Sequence, residues 1–402
     1  MTGNNNKLNI KTTVLLSFGF FASSLVWSVY NAYVPLLLER FIESTMIIGI
    51  IMSIDNFFGV VFQPLFGKIS DRTNTRFGRR LPFLFVCMPI CAVLFIFIPY
   101  MNNLWSFMGL VIIFTFVMSV WRTPAVSLMP DLTPGPFRSQ ANGIVNLMGG
   151  IGAILAFAGG GILFDLGGFP LPFLISAVLM IGAMAVLAVL VREPKYPVPT
   201  EQEKKAAAVK LDPKEKKSLV FLLCAIFFWF MGYNAVETFF SLYATNTMDV
   251  TPGQASIMLS LFALALVIFA IPAGIIGAKI GRRKAILIGL IGVTLMFVPL
   301  IFVTNANIVR ILLLFGGICW ACVNINSLPM IVRIAGPVKI GAFIGYYYLF
   351  SFSAQLVTTP VYGLIRDIVG NYQSLFIYAA VTFVLAFVCL LFVRHGEEEP
   401  QT

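Results

Sequence analysis

Residues 63–83 read QPLFGKISDRTNTRFGRRLPF. Five Lys and Arg surround one acid, Asp71, and apolar runs flank the stretch on both sides. The rest of the chain is of another character: 59% of its 402 residues are hydrophobic, 11% are charged, and the mean hydropathy is +0.93. Soluble domains carry about 25% charged residues. Outward from the charged hinge, apolar runs of about 20 residues or more recur, each long enough to cross a hydrocarbon core of about 30 Å. Twelve are predicted, over 12–38, 45–69, 81–100, 105–129, 140–164, 170–191, 219–245, 253–278, 285–304, 308–332, 339–364 and 372–394. In lipid a helix satisfies its own backbone hydrogen bonds, and the alternation that marks a membrane barrel is absent, so the chain is expected to be an all-α integral membrane protein.

The net charge of +10 suggests a polyanionic partner until its distribution is considered. With the N-terminus in the cytoplasm, only Arg40, Arg310 and Arg366 of the 27 basic residues fall in external loops, and Arg122 falls within a helix. The other 23 lie on the cytoplasmic side, which is the positive-inside distribution and leaves no case for nucleic acid. Both termini are therefore expected inside, and the opening stretch becomes a cytoplasmic loop between the second and third helices. The first apolar segment is long and lacks a convincing cleavage site, so it is expected to be a retained span. All six cysteines (87, 91, 224, 319, 322 and 389) fall inside predicted spans and are expected to pack as small apolar residues. Neither a metal nor a cofactor is expected.

Residues 192–218 break the pattern, with four prolines and eight basic against five acidic side chains. They are expected to form a cytoplasmic linker between an N-terminal half, 1–191, and a C-terminal half, 219–402. The halves repeat one another. Tyr30-Asn31-Ala32 recurs 203 positions later as Tyr233-Asn234-Ala235, and Gly78-Arg79-Arg80 recurs at the same offset as Gly281-Arg282-Arg283. Gly161 and Asp165 recur 202 later as Gly363 and Asp367, and Trp121 pairs with Trp320. Matches at nearly constant offset, each at the equivalent place in its half, argue for tandem duplication. This arrangement resembles the major facilitator superfamily, which implies twelve transmembrane helices in two pseudo-symmetric six-helix bundles and a substrate site near the midplane between halves.

Gly67-Lys-Ile-Ser-Asp71-Arg72, followed by Arg76-Phe-Gly78-Arg79-Arg80, resembles the cytoplasmic signature of that superfamily. Gly67 would allow close helix approach, and Asp71 would pair with an Arg of its loop or accept a neighbouring helix's N-terminal amides. Such a cluster can latch the inner face. Topogenic charge alone accounts for the Lys and Arg but not for the Asp and Gly. The second half keeps only Lys279-Ile-Gly281-Arg282-Arg283-Lys284, without an acid.

The same stretch is similar to the sucrose–proton symporters of plants and their animal and bacterial relatives, through its Q-P-x-x-G, S-D-R, R-F-G-R-R and P-F elements. Residues 127–143, SLMPDLTPGPFRSQANG, resemble the junction between their fourth and fifth helices. The glycoside–pentoside–hexuronide cation symporters are a more distant likeness. The resemblance implies a sugar carrier driven by a cation gradient. Two positions depart from it: Thr115 stands where plant sucrose symporters carry an acid in the fourth helix, and Gln63 where melibiose-type carriers have one. The second departure argues against sodium coupling by the melibiose scheme.

Few ionisable residues interrupt the spans. Asp55 lies ~15 Å into the second helix, where an ionised carboxylate costs roughly 2.5–3.5 kcal/mol, so a cavity or partner is required; a proton carrier is expected, with a structural, neutral or paired Asp the alternative. Arg122, in the fourth helix, can pair with Asp55, hydrogen-bond a sugar or snorkel to the interface. Glu237 in the seventh helix is a second titratable candidate, an external gate or a vestibule residue.

Sugar hydroxyls need groups that donate and accept, and sugar C–H faces stack on aromatic rings. Candidates at helical spacing are Trp27, Tyr30 and Asn31; Trp229, Tyr233 and Asn234; Trp320, Asn324 and Ser327; and Tyr346, Tyr347, Tyr348, Ser351 and Gln355. The glycines of the fifth helix and the Gly341–Gly345 pair are expected to permit close helix contacts. The only histidine is His395, and no nucleophile–base or paired-acid constellation occurs within the spans, so an enzyme is not expected. The expectation is a proton-coupled sugar symporter, monomeric, in a bacterial inner or plasma membrane. A proton-coupled exporter of drugs or other amphiphiles is the alternative.

Overall fold

The computed structural model describes residues 8–133, 137–193 and 213–395, and among these every regular element is a helix. Eleven stretches of the described residues are long and apolar enough to span a membrane. In chain order they are α1 Ile10–Glu39, α2 Thr45–Arg72, α3 Leu81–Tyr100, α4 Leu104–Leu132, α5 Gln140–Gly167, α6 Pro170–Leu190, α7 Glu215–Thr247, α8 Pro252–Ile280, α9 Arg282–Leu300, α10 Ala306–Ile334 and, last in sequence, Ser374–Leu391. Helical turns recur past α10 as far as Val369. A straight helix would hold Ser327 and Tyr347 about 30 Å apart. Their side-chain oxygens instead lie 3.2 Å apart, so the chain reverses between them and a further helix, α11 (343–369), returns alongside α10. With α12 (Ser374–Leu391) the spans number twelve, as the apolar pattern predicted.

The helices bury aromatic cores and turn aliphatic side chains outward. Val86, Ile90, Val93 and Phe97 form one exposed stripe along α3, the inverse of a soluble helix and suited to lipid. Trp105, at the start of α4, is 85% exposed, as suits an aromatic anchor at the membrane–water interface.

The chain divides into two compact units, Met1–Leu37 with Phe57–Val198, and Leu38–Asn56 with Pro199–Thr402. In the first, Tyr30, Tyr33, Phe95, Phe114, Trp121 and Phe173 are fully buried, with Phe95 against Phe114 and Phe173. Gly149 and Gly152 let α5 lie directly on α1: a Cβ at Gly152 would stand 2.6 Å from the Phe21 carbonyl oxygen. The expected close contact at Gly345 is not seen. Among the described residues nothing lies within 4 Å of where its Cβ would be, and the side chains around Gly341 lie outside the described set. In the second unit Trp229, Tyr243, Trp320 and Tyr362 fill the core. Of the expected linker, 194–212 lie outside the described residues, and helix has already begun at Pro213.

Duplication is written into the backbone. Among the described residues the glycines with positive φ are Gly78 (107°), Gly168 (69°), Gly281 (98°) and Gly370 (79°). They form two pairs at the same 203- and 202-residue offsets as the sequence matches, although Gly168 and Gly370 differ in ψ (−161° against 4°).

Candidate functional site

In the first unit, α1 and α4 bring Trp27 and Tyr30, with Asn31 adjacent in sequence, beside Phe114 and Arg122. Tyr30 stacks on Phe114 at 5.9 Å between centroids, and Trp27 meets Tyr30 edge-on at 5.2 Å. The Arg122 guanidinium sits 5.8 Å from the Trp27 ring centroid, within cation–π range. Asn31 is buried, yet its Oδ1 has no hydrogen-bond partner among the described residues, and neither has the indole N–H of Trp27. A buried polar atom left unmatched by the protein is costly. The first unit thus offers an aromatic face, a guanidinium and two polar atoms unmatched among the described residues.

In the second unit, Tyr233 of α7 stacks on Trp320 of α10 with centroids 4.8 Å apart and ring planes within 6°. One turn on, Glu237 accepts the Tyr233 hydroxyl hydrogen. Phe230 meets both Trp320 and Tyr347 edge-on at 5.9 Å, and Tyr347 shares a hydrogen bond with Ser327. Of the three tyrosines at 346–348, only Tyr347 is buried; Tyr346 and Tyr348 are exposed. Trp229 and Asn234 are buried, whereas Asn324 and Gln355 keep partial exposure. Asn326, which the sequence reading passed over, binds the Ala273 carbonyl at 3.1 Å and its own helix at Cys322, gluing α8 to α10. Asp55 is buried and accepts a hydrogen bond from Asn56. It stands near the point where α2 passes from one unit to the other, and Arg122 belongs to the other unit.

The charged loop forms a network inside the first unit. Arg80, almost fully buried, pairs with Asp71 and donates to Ser70, to the Gly67 carbonyl at 3.3 Å and to Asp131 at 2.9 Å. Arg79 pairs with Asp131 at 2.8 Å and approaches Glu193 at 3.8 Å. Glu193 in turn accepts the Arg80 and Leu81 backbone N–H groups at 2.8 and 3.3 Å, capping α3. Gly67 packs against Thr123, where a Cβ would stand 3.2 Å from its methyl carbon. Arg72 and Arg76 are exposed, Arg76 lying over Phe77. Asp131 and Glu193 were not among the expected members. Asp131 lay in a stretch noted only for its resemblance, and Glu193 opened the segment taken for linker, so neither carried a local signal. In the second unit Arg283, the repeat of Arg80, instead donates to the Leu390 and Leu391 carbonyls at the end of α12.

Comparison with known proteins adds a family and two kinds of relative. The Major Facilitator Superfamily profile matches residues 16–251 and 222–402. The isoprimeverose transporter of Lactiplantibacillus pentosus is 25% identical over 299 residues, covering 68% of this chain. The chain spans only 60% of that relative's own length. Multidrug resistance protein MdtG of Escherichia coli O9:H4 (strain HS) is 24% identical over 319 residues, covering 75% of this chain and 74% of the relative. Among solved structures, the nucleoside transporter NupG superposes with a TM-score of 0.72 at 15% identity, covering 95% of this chain and all of the other, a likeness of fold alone.

Proposed function

The chain belongs to the Major Facilitator Superfamily, and we propose that within it this multi-pass membrane protein is a proton-coupled sugar symporter working by alternating access. One observation carries the sugar reading: each unit sets hydroxyl-matching groups beside aromatic faces. These are Asn31, Arg122 and Trp27 in the first unit, and the Tyr347–Ser327 and Tyr233–Glu237 pairs beside Trp320 in the second. A hydroxylated ring needs both surfaces at once. The similarity to an isoprimeverose transporter supports a disaccharide as the first class to test.

In this reading Asp55 and Glu237 carry the coupling proton, and Tyr30, Trp229, Asn234, Asn324 and Gln355 complete the substrate set. The Gly67–Arg80 loop works as the inner latch through Gly67, Asp71, Arg72, Arg76, Gly78, Arg79 and Arg80. The protein acts as a monomer in the plasma membrane with both termini inside. Proton-coupled export of amphiphiles is the second reading, favoured by the multidrug relative, which matches a larger share of both chains.

The deciding experiment is uptake of isoprimeverose, sucrose and maltose into proteoliposomes under an imposed proton gradient, with collapsed-gradient controls. Gradient-dependent accumulation of one sugar supports symport. Gradient-driven movement of amphiphilic cations, with no sugar transported, replaces it with export.

A further inference from the structure

Within the second unit α7 and α12 run antiparallel, and their register can be followed residue by residue. At one end the Ser218 hydroxyl shares a hydrogen bond with His395 Nδ1 at 2.8 Å and accepts the Arg394 N–H at 3.3 Å. Three residues along α7, Phe221 stacks on Phe392, three residues back from His395, with ring centroids 5.1 Å apart. Further along, a Cβ at Gly232 would stand 2.6 Å from both the Phe383 ring and Thr382 Oγ1. Forward steps on α7 are thus met by backward steps on α12, before and after one more rung. That rung, three residues beyond Phe221 and three before Phe392, sets Cys224 opposite Cys389.

The two thiols are close enough to interact electrostatically. Both are free and half-buried. The other cysteines sit differently. Cys87 and Cys91 are buried along a single helix, α3. Cys319 and Cys322 of α10 fill the hollows left by two glycines of α9. A Cβ at Gly292 would stand 2.4 Å from Cys319 Sγ, and one at Gly289 would stand 3.0 Å from Cys322 Cβ. Cys224 and Cys389 instead come from different helices and meet across the seam between them.

Facing thiols are a ligand pair, and their number selects the ion. Among the described residues no group of three or more His, Cys, Asp or Glu gathers, so the donors number two. Zinc in a structural site takes four ligands and is poorly served by two. Copper(I) accepts two thiolates in a line, and soft thiolates are the donors that select it. The resulting bis-thiolate carries one net negative charge. Arg283 offsets it, because its guanidinium donates to the Leu390 and Leu391 carbonyls at 3.2 and 2.7 Å, within one turn of Cys389. On the positive-inside reading this end of the helices faces the cytoplasm, where thiols stay reduced.

We propose that Cys224 and Cys389 form a copper(I) site that ties α7 to α12. On binding, each thiol gives its proton to solvent and two S–Cu bonds form. The ion enters and stays as copper(I), so no electron is transferred. The site does not depend on which substrate is carried.

The test titrates copper(I) into the full-length protein without oxygen, against the chromogenic chelator bicinchoninate. One ion per chain should bind, and X-ray absorption should show two sulfur neighbours. Loss of an outer-shell partner weakens metal binding roughly 10–100-fold, so Cys224→Ser and Cys389→Ser, which remove a ligand, should each cost at least about a hundredfold. Replacing Cys319 and Cys322 by alanine should leave binding unchanged. Binding that survives either serine variant, or three or more sulfur neighbours, overturns the site. If the serine variants do not fold, alkylation of the unsubstituted protein decides. One equivalent of copper(I) should slow the reaction of Cys224 and Cys389 with N-ethylmaleimide together, at least about tenfold, read peptide by peptide by mass spectrometry. Slowing of neither or of only one overturns the proposal. Absence of sugar transport would leave this result untouched and count only against the symport reading.

Discussion

Asp55 and Asn31 show what single residues contribute. An acid in a span announces itself by cost alone, and Asp55 is buried with an amide at hand. If it carries the coupling proton, Asp55→Asn should abolish uphill accumulation while leaving substrate counterflow intact. Unchanged uphill uptake in vesicles would remove Asp55 from the coupling role. Asn31 makes a sharper test, because its Oδ1 has no protein partner among the described residues. Asn31→Ala should therefore weaken apparent substrate affinity about five- to tenfold, the worth of one hydrogen bond, with little change in thermal stability. A large loss of stability with unchanged affinity would make Asn31 a packing residue. Asp55, Glu237 and the repeated Tyr-Asn-Ala were legible in the sequence because polar groups are rare in apolar spans. The Tyr233–Trp320 stack was not, since ring orientation depends on how α7 and α10 turn toward each other.

At the scale of elements, turns and caps decide where helices stop. Gly78 holds φ at 107°, and Glu193 packs where its Cβ would be, 2.3 Å from the carboxylate oxygen. Gly78→Ala should cost about 1–3 kcal/mol from the left-handed backbone, with the displaced α3 cap adding to it. A fall in melting temperature relative to Gly143→Ala, where nothing lies within 4 Å, checks this. Gly67, Asp71 and the paired arginines could be picked out from spacing. Asp131 and Glu193 could not, because an acid that reaches across helices leaves no mark on its own neighbours.

At the scale of the molecule, charge asymmetry sets an expected orientation. A cysteine at exposed Asn307 should react with an impermeant maleimide from outside intact cells, and one at exposed Lys284 only after permeabilisation. The reverse pattern would invert the topology. The sequence by itself determined the helical class, the twelve spans and the duplication. Each of these is a one-dimensional property: apolar length against a fixed bilayer thickness, and motifs at a constant offset. Only the tertiary structure decided that residues 38–56 pack with the second unit, that Glu193 caps α3, and that Asp367 caps α2. Those are pairings between residues about a hundred to more than three hundred positions apart. Backbone amides and carboxylates choose partners by proximity after folding, and proximity across helices is not encoded in the spacing along any one of them.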